Sequence, residues 1–184
     1  MRKLGQELGV EAMSLYNHVA GKDDILNGIV ETIAGEVEVA PAELDWKTAV
    51  RRSAISAHET LVRHPWAPAL WMRGGGGGTA RLRFADGLLG ALRRGLSADL
   101  TYRAFHTLQS YILGYTLQEL RFPFETEDLE EMAQTFLREF PSADYPHLAE
   151  HVHQHLEPHA FEEGGFAFGL DLILEGLERA RGNA

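Results

Sequence analysis

Residues 1–19 constrain the fold of this chain more than any other stretch, because they predict two short helices joined by a tight turn. Leu4 and Leu8 lie one helical turn apart and form an apolar stripe. Gly9 follows at once, at the position where many helices end in a left-handed conformation that glycine adopts cheaply. Val10 and Leu15 then supply apolar contacts across the corner. The pattern predicts a helix-turn-helix.

The outer face of the second helix carries small and polar side chains. The residues of this face are Ala12, Met13, Ser14, Asn17 and His18. A short helix that is held across another helix and presents such a face suits the major groove of DNA. An unrelated helical hairpin would show a similar apolar pattern, so the interpretation as a groove reader needs a second feature.

Three stretches of the chain resemble one protein family. Residues 8–26, LGVEAMSLYNHVAGKDDIL, resemble the helix-turn-helix of the TetR family of transcriptional repressors, and the run LYNHV followed by Lys22 is the most selective part. Residues 166–178, FAFGLDLILEGLE, resemble the last helix of the tetracycline-repressor-type regulatory domain, and residues 111–118, YILGYTLQ, resemble its central helix. The likeness implies a ligand-responsive DNA-binding regulator, which we expect to be a repressor.

The resemblance also implies how the helix-turn-helix contacts a double-stranded DNA operator. Phosphate oxygens would be bound by hydroxyl, imidazole and ammonium donors, which are Ser14, Tyr16, His18 and Lys22. Base edges would be faced by the exposed start of the recognition helix, at Ala12 and Met13. Tyr16 and His18 could instead pack beneath the domain. The full set of predicted DNA-binding residues is Arg2, Ala12, Met13, Ser14, Tyr16, Asn17, His18 and Lys22.

The family normally has one more helix before this motif, whereas Met1 of this sequence lies inside it. We therefore expect the first helix of the family's DNA-binding domain to be missing here. This expectation keeps a second hypothesis open. In that hypothesis the chain is a helical protein that binds a small molecule or a metal without autonomous DNA binding.

Composition narrows the class of protein further. The chain has 184 residues and a formal net charge of −10, which argues against non-specific coating of nucleic acid. It contains no cysteine, so disulfides and thiolate chemistry are excluded. No apolar run reaches a membrane-spanning length, and the N-terminus lacks a signal-peptide pattern. We expect a cytoplasmic protein with no membrane partner.

The rest of the chain shows helical periodicity without strand-like alternation, which predicts an all-α fold. We divide it into a helix-turn-helix DNA-binding domain with its connecting helix, residues 1–39, and a larger helical bundle for ligand binding and dimerisation, residues 40–184. The five glycines at residues 74–78 predict a flexible hinge rather than a phosphate loop, since no Gly-Lys-Ser/Thr follows them.

Two apolar stripes are predicted to be buried within this bundle. The stripe of the helix over residues 79–96 consists of Leu82, Ala85, Leu89 and Leu92, widened by Phe84 and Leu88. The stripe of a helix that begins near Glu125 consists of Leu129, Met132, Phe136 and Phe140.

The helix over residues 98–121 has apolar residues on two faces, as a helix needs when it packs on its own core and on a second subunit. The resemblance implies that this helix and the last one pair with their copies in a four-helix bundle of a two-fold homodimer. The predicted interface residues are Tyr111, Tyr115, Phe166, Gly169, Leu170, Ile173, Gly176 and Leu177.

The resemblance places a small-molecule effector between the middle helices. Tetracycline receptors of the family use a histidine and a glutamate around the drug-bound magnesium, and Trp71 and Gln118 take those places here. We therefore expect a small, largely apolar ligand without a metal or other cofactor. The predicted ligand-binding residues are His58, Leu61, Trp71, Met72, Phe84, Leu88, Phe105, His106, Gln109, Leu113 and Gln118.

One histidine group favours a different class of function. His147, His151 and His155 recur every four residues, with His153 and His159 nearby, and such spacing on a helix can chelate zinc or nickel. The neighbouring glutamate does not fit the metalloprotease pattern His-Glu-x-x-His, and no other set of residues suggests a nucleophile with its base. We therefore predict a solvated helix rim here, with no metal site, and no enzymatic activity.

Overall fold

The structure is a computed structural model that describes residues 1–72, 78–121, 134–138, 140–154 and 164–182. The described helices are α1 (Arg2–Leu8), α2 (Ala12–Leu15), α3 (Lys22–Glu36), α4 (Trp46–Arg63), α5 (Ala67–Met72), α6 (Thr79–Gly95), α7 (Ala98–Arg121), α8 (Pro146–Gln154) and α9 (Gly165–Gly182). Residues 134–138 are also helical. The described residues include no strand, so the all-α prediction is confirmed.

Local sequence explains where several of these helices begin and end. Gly9 has φ 68° and ψ 25°, the left-handed conformation that the sequence predicts for the end of α1. The carboxylate of Asp24 accepts a hydrogen bond from the Ala20 amide at 3.0 Å and so closes the turn before α3. Asp45 caps α4 by accepting from the amides of Lys47 and Thr48, both at 3.1 Å.

The core lies where α4 packs against α6, α7 and α9. Its small residues on α4, which include Ala49, Ala54 and Ala57, let neighbouring helices approach closely. The larger side chains that fill the space between these helices are Leu61, Leu88, Leu92, Leu108, Leu170 and Leu174, all fully buried. Each buried leucine contributes about 1.5–3 kcal/mol of transfer free energy, so this four-helix junction holds the larger part of the chain together.

Helix α6 lies close to its neighbours because two of its glycines leave room for partner side chains. A Cβ atom at Gly87 would collide with Val39, in the segment after α3, and one at Gly95 would collide with the indole of Trp46 at the start of α4. Gly90 of the same helix has open space beside it. Helix α6 therefore fits against the segment that links α3 to α4.

Two predicted stripes are wrong in part. On α6, Leu82 is exposed and Leu89 only partly buried, whereas Phe84, Leu88, Ala91 and Leu92 form the buried face. Apolar residues surround much of this helix, so periodicity alone did not decide which face meets α4. Phe136 of the second stripe is exposed, and Leu129 and Met132 lie outside the described residues.

Ion pairs align α9 along α4. Arg51 donates to both carboxylate oxygens of Asp171, at 2.8 and 3.3 Å, and Lys47 lies 3.6 Å from Glu175. These side chains are partly exposed, and such pairs typically contribute about 0–1 kcal/mol each. They fix the register of the two helices more than they stabilise the fold. None of the helices that the structure describes combines the length and hydrophobicity needed to cross a bilayer.

Candidate functional site

The helix-turn-helix is held by a close backbone approach that the sequence analysis did not detect. Gly5 is the buried residue of α1. A Cβ atom there would lie 2.8 Å from the carbonyl oxygen of Val10 and 3.2 Å from the amide nitrogen of Ala12. Glycine at this position therefore lets the start of α2 cross directly over α1. The Gly-x-x-x-Gly spacing of Gly5 and Gly9 was the feature of the sequence that could have indicated this close approach.

Helix α2 continues as hydrogen-bonded turns beyond its formal end. The amides of Asn17 and His18 donate to the carbonyls of Ser14 and Leu15 at 3.2 and 3.0 Å, and the Val19 amide donates to Leu15 at 3.1 Å. This ordered backbone carries six of the eight predicted DNA-binding side chains. The hydroxyl of Ser14 already donates to the Glu11 carbonyl at 2.7 Å, so it would have to leave that acceptor in order to donate to a phosphate.

The predicted DNA-binding residues lie on the surface of this unit. Met13 is 72% exposed, and Tyr16 is exposed rather than packed beneath the domain. The other exposed members are Arg2, Asn17, His18 and Lys22, while Ala12 and Ser14 are partly exposed. Six of these residues therefore lie on α2 and the turns after it, Arg2 lies on α1 and Lys22 begins α3, and their contacts with DNA stay a prediction.

The apolar contacts predicted across the corner are wrong in part. Leu4, Leu8 and Val10 are exposed, and only Leu15 is partly buried. At Gly5 the two helices meet through their backbones, so their contact there does not depend on large apolar side chains.

About half of the predicted ligand-binding residues belong to the apolar core of the chain or pack against it. Leu61, Phe84 and Leu88 are buried in this core, and Trp71, Phe105 and Leu113 are partly buried against it. The ring of Trp71 meets Phe84 edge to face, with 6.1 Å between centroids. These side chains would surround an apolar ligand only if the core opened to admit it.

The remaining predicted ligand residues lie apart from this core. Met72, His106 and Gln118 are exposed, and Gln109 is partly buried. His106 meets the exposed ring of Tyr102 at 4.7 Å. A separate cavity of about 360 Å³ lies along α4, lined by Glu38, Thr48, Arg51, Arg52, Ile55, Ser56 and Glu59. Its lining includes none of the predicted ligand residues.

His58 occupies a polar niche between α4, α7 and α9. Thr116 donates its single hydroxyl proton to the Ile112 carbonyl at 2.7 Å, so its oxygen accepts from Nδ1–H of His58 at 3.0 Å. The imidazole stacks on Phe166 with 4.0 Å between centroids, and Nε2 lies 3.3 Å from Glu119. Burial lowers the pKa of His58 to about 4, so the ring is neutral at physiological pH.

Tyr111 and Tyr115, two residues predicted at the dimer interface, pack on α9 of their own chain, and their place in an interface stays a prediction. Tyr111 donates to the Phe166 carbonyl at 2.8 Å, and burial raises its pKa to about 12. Cβ atoms at Gly165 and Gly169 would collide with the hydroxyls of Tyr115 and Tyr111. The glycine-lined side of α9 is therefore filled by α7 of the same subunit.

This packing corrects part of the predicted interface. Phe166 and Leu170 are buried within their own chain, and Ile173 and Leu177 pack partly against the same core. The apolar side chains that α9 turns outward are Phe168, 69% exposed, and Leu172, 56% exposed. Neither residue was predicted at the interface, because a helix with apolar residues on all sides does not reveal which side meets α7. Gly176 has open space beside it.

The predicted histidine group is only partly within the described residues. His147, His151 and His153 lie exposed on α8, whereas His155 and His159 fall outside the described ranges. Across the described parts of the chain, no group of three or more histidine, cysteine, aspartate or glutamate side chains could hold a metal ion.

Comparison with known proteins places this architecture in a family. Residues 40–181 match the family described as tetracyclin repressor-like, C-terminal domain. An HTH-type transcriptional regulator of Saccharopolyspora erythraea is 31% identical over 154 residues, which are 81% of this chain and 64% of that protein. The HTH-type transcriptional repressor DrrR1 of Streptomyces coeruleorubidus is 27% identical, over 97% of this chain and 69% of that protein. The chain thus spans about two thirds of the length of these curated relatives.

Solved structures share the fold over nearly the whole chain. ActR, a TetR family protein of Streptomyces coelicolor solved with actinorhodin, has a TM-score of 0.78 and 24% identity, covering 99% of this chain and 88% of its own. A possible TetR family transcriptional regulator of the same organism has a TM-score of 0.78 and 28% identity, covering 97% of this chain and 88% of its own. The chain belongs to the TetR family of transcriptional regulators.

Proposed function

We propose that this protein is a homodimeric transcriptional repressor of the cytoplasm that leaves its DNA operator when a small, largely apolar ligand binds. Residues 1–39 act as the DNA-binding unit with its connecting helix α3, and residues 40–184 bind the ligand and the second subunit. The DrrR1 relative, a repressor, supports the sign of the regulation. The protein acts by binding and without catalysis.

One observation carries the proposal: Met13 of α2 and the side chains of Tyr16, Asn17 and His18 in the turns after it are exposed, on a unit joined directly to α3. Helix α3 in turn packs against α4, α5 and α6 of the larger region. A change in the packing of these helices would therefore move the exposed helix. A ligand can drive such a change only through its different affinities for the two arrangements.

The apolar cluster around Leu61, Trp71 and Phe84 supports the ligand class. The described side chains of this cluster are aromatic and aliphatic, which favours an uncharged ligand. The same fold in ActR accommodates actinorhodin. We propose that the effector enters between α4, α5, α6 and α7, with His58 as the polar group at the edge of this space.

DNA binding tests the first half of the proposal. The wild-type protein should enrich a specific duplex from random-sequence DNA. Tyr16→Ala should weaken binding to every duplex alike, since a phosphate contact carries no sequence information, whereas Met13→Ala should alter the preferred bases. Fluorescence anisotropy on selected and scrambled duplexes measures both effects. Equal effects of the two substitutions on every duplex would contradict the division of roles.

The exposed apolar residues Leu8 and Val10 on the helix-turn-helix favour the alternative, a helical ligand-binding protein without autonomous DNA binding. The selection experiment separates the two functions. Failure of the wild-type protein to enrich any duplex, together with thermal stabilisation by an apolar compound, would establish the alternative. Enrichment that is reversed by the same compound would exclude it.

A further inference from the structure

Glu31 lies on α3 and reaches across to the first turn of α6. Its Oε2 accepts a hydrogen bond from the Ala80 amide at 2.8 Å, and its Oε1 accepts from Nε of Arg81 at 2.7 Å. The side chains of Glu31 and Arg81 are 23% and 13% exposed. Burial alone would raise the pKa of Glu31, but the bonds from Arg81 and Ala80 outweigh it and lower the pKa. The carboxylate is therefore charged.

This carboxylate caps α6 from another helix. The amides of a first helical turn need an external acceptor, and negative charge is favourable there. Gly78, the residue at the N-cap of α6, has no side chain that could serve. Its φ of −70° and ψ of 160° are open to any residue, but a Cβ atom would collide with the Glu31 carboxyl group. Glycine at this position gives Glu31 its access to α6.

Because Glu31 lies on the helix that follows the helix-turn-helix, its contact with α6 can set the orientation of that unit. Helix α3 is continuous from Lys22 to Glu36, so Glu31 lies about 14 Å from the end that leads to α2. A second tie joins Glu36 to Nε2 of His64 at 3.1 Å, at the far end of α3. The Glu36 and His64 side chains are more exposed than Glu31 and Arg81, so solvent weakens that tie.

We propose that Glu31 is a positioning residue: by capping α6 and pairing with Arg81, it fixes the direction in which α3 presents the recognition helix to DNA. This inference rests on the proposed function. Loss of the contact leaves the proposed DNA-contacting side chains unchanged and alters only the position and orientation of the helix that carries them. Specific binding, which needs two helices in matching grooves, therefore suffers more than non-specific binding.

Glu31→Gln tests the proposal in the full chain, because glutamine keeps the size of the side chain and removes its charge. Glu38→Gln is the matched control: Glu38 is also paired with an arginine, Arg52, at 2.6 Å, but on the surface, and the substitution changes the net charge equally. Binding is measured on the duplex that the wild-type protein selects and on a scrambled duplex. We expect Glu31→Gln to weaken binding to the selected duplex about tenfold, within the range for one hydrogen bond to a charged group.

The ratio of the two affinities decides the outcome. A positioning role lowers the preference for the selected duplex in Glu31→Gln and leaves it unchanged in Glu38→Gln. A loss on both duplexes alike, or no difference between the two variants, would overturn the proposal. Gly78→Ala should reproduce the loss without changing the charge, because it displaces the same carboxylate.

A readout without DNA separates this inference from the proposed function. Hydrogen exchange of the Ala80 and Arg81 amides and of α3 should accelerate in Glu31→Gln relative to Glu38→Gln. Should the wild-type protein select no duplex, the proposed repressor function fails, and the exchange measurement still decides whether Glu31 holds α3. Unchanged exchange in Glu31→Gln would refute that role.

Discussion

Burial changes the chemistry of His58, because it lowers the pKa of the imidazole ring. Its side chain is 12% exposed, donates to Thr116 and stacks on Phe166, so it links α4 to α7 and α9. Protonation would place a charge in this niche, and the partly exposed carboxylate of Glu119 offsets only part of the desolvation cost. Acid should therefore loosen the seam where the three helices meet.

The pKa of His58 in the folded chain, about 4, lies below its unfolded value near 6.5, so the unfolded chain binds more protons between these values. Stability is then complete above about pH 6.5 and falls as the pH drops towards 4, by up to about 3 kcal/mol. Denaturant unfolding across this pH range measures the slope. His58→Asn keeps a donor for Thr116 and should flatten the slope, whereas His106→Asn, at an exposed histidine of α7, should not.

Helix α9 packs closely against α7 because two of its glycines leave room for the tyrosines of α7. Alanine at Gly169 would place Cβ within 2.8 Å of Cζ of Tyr111, so either the ring or the helix must move. Overpacking costs about 1–3 kcal/mol, while alanine gains about 1 kcal/mol of helix propensity. We expect Gly169→Ala to lower the free energy of unfolding by about 1 kcal/mol.

Gly90→Ala provides the comparison, since Gly90 is exposed on α6 with nothing beside it. There the propensity gain stands alone, and the free energy of unfolding should rise. Thermal unfolding measures both changes, at about 2–4 °C per kcal/mol for a chain of this size. A stabilised Gly169→Ala would mean that Tyr111 is not held in place.

Only part of this structure could be predicted from the sequence. Helix positions follow from periodicity and caps: the glycine at position 9 ends α1 where expected. Which face of a helix is buried does not follow when apolar residues surround it, as on α6 and α9. The Glu31–Arg81 pair joins residues far apart in sequence, and neither residue belongs to a motif, so no local pattern could predict it.

The outward face of α9 is the apolar surface through which we expect two subunits to meet. Phe168 and Leu172 lie one helical turn apart and are exposed on a helix whose opposite side is buried. We expect Leu172→Glu to convert a homodimer into monomers, since it places a charge at an apolar contact. Sedimentation measures the change.

Leu82→Glu is the control for this experiment, because Leu82 is equally apolar and exposed but lies on α6. It should leave the association of subunits intact. A Leu172→Glu protein that stays dimeric would show that the subunits meet through another surface.

Helix α6 fits against three different partners, a carboxylate of α3, a valine after it and the tryptophan that opens α4, each opposite one of its glycines. We therefore expect the glycine positions along this helix to differ in how well they tolerate substitution. Substitution at positions 78, 87 and 95 would require the facing side chain to move, whereas position 90 would accept many side chains.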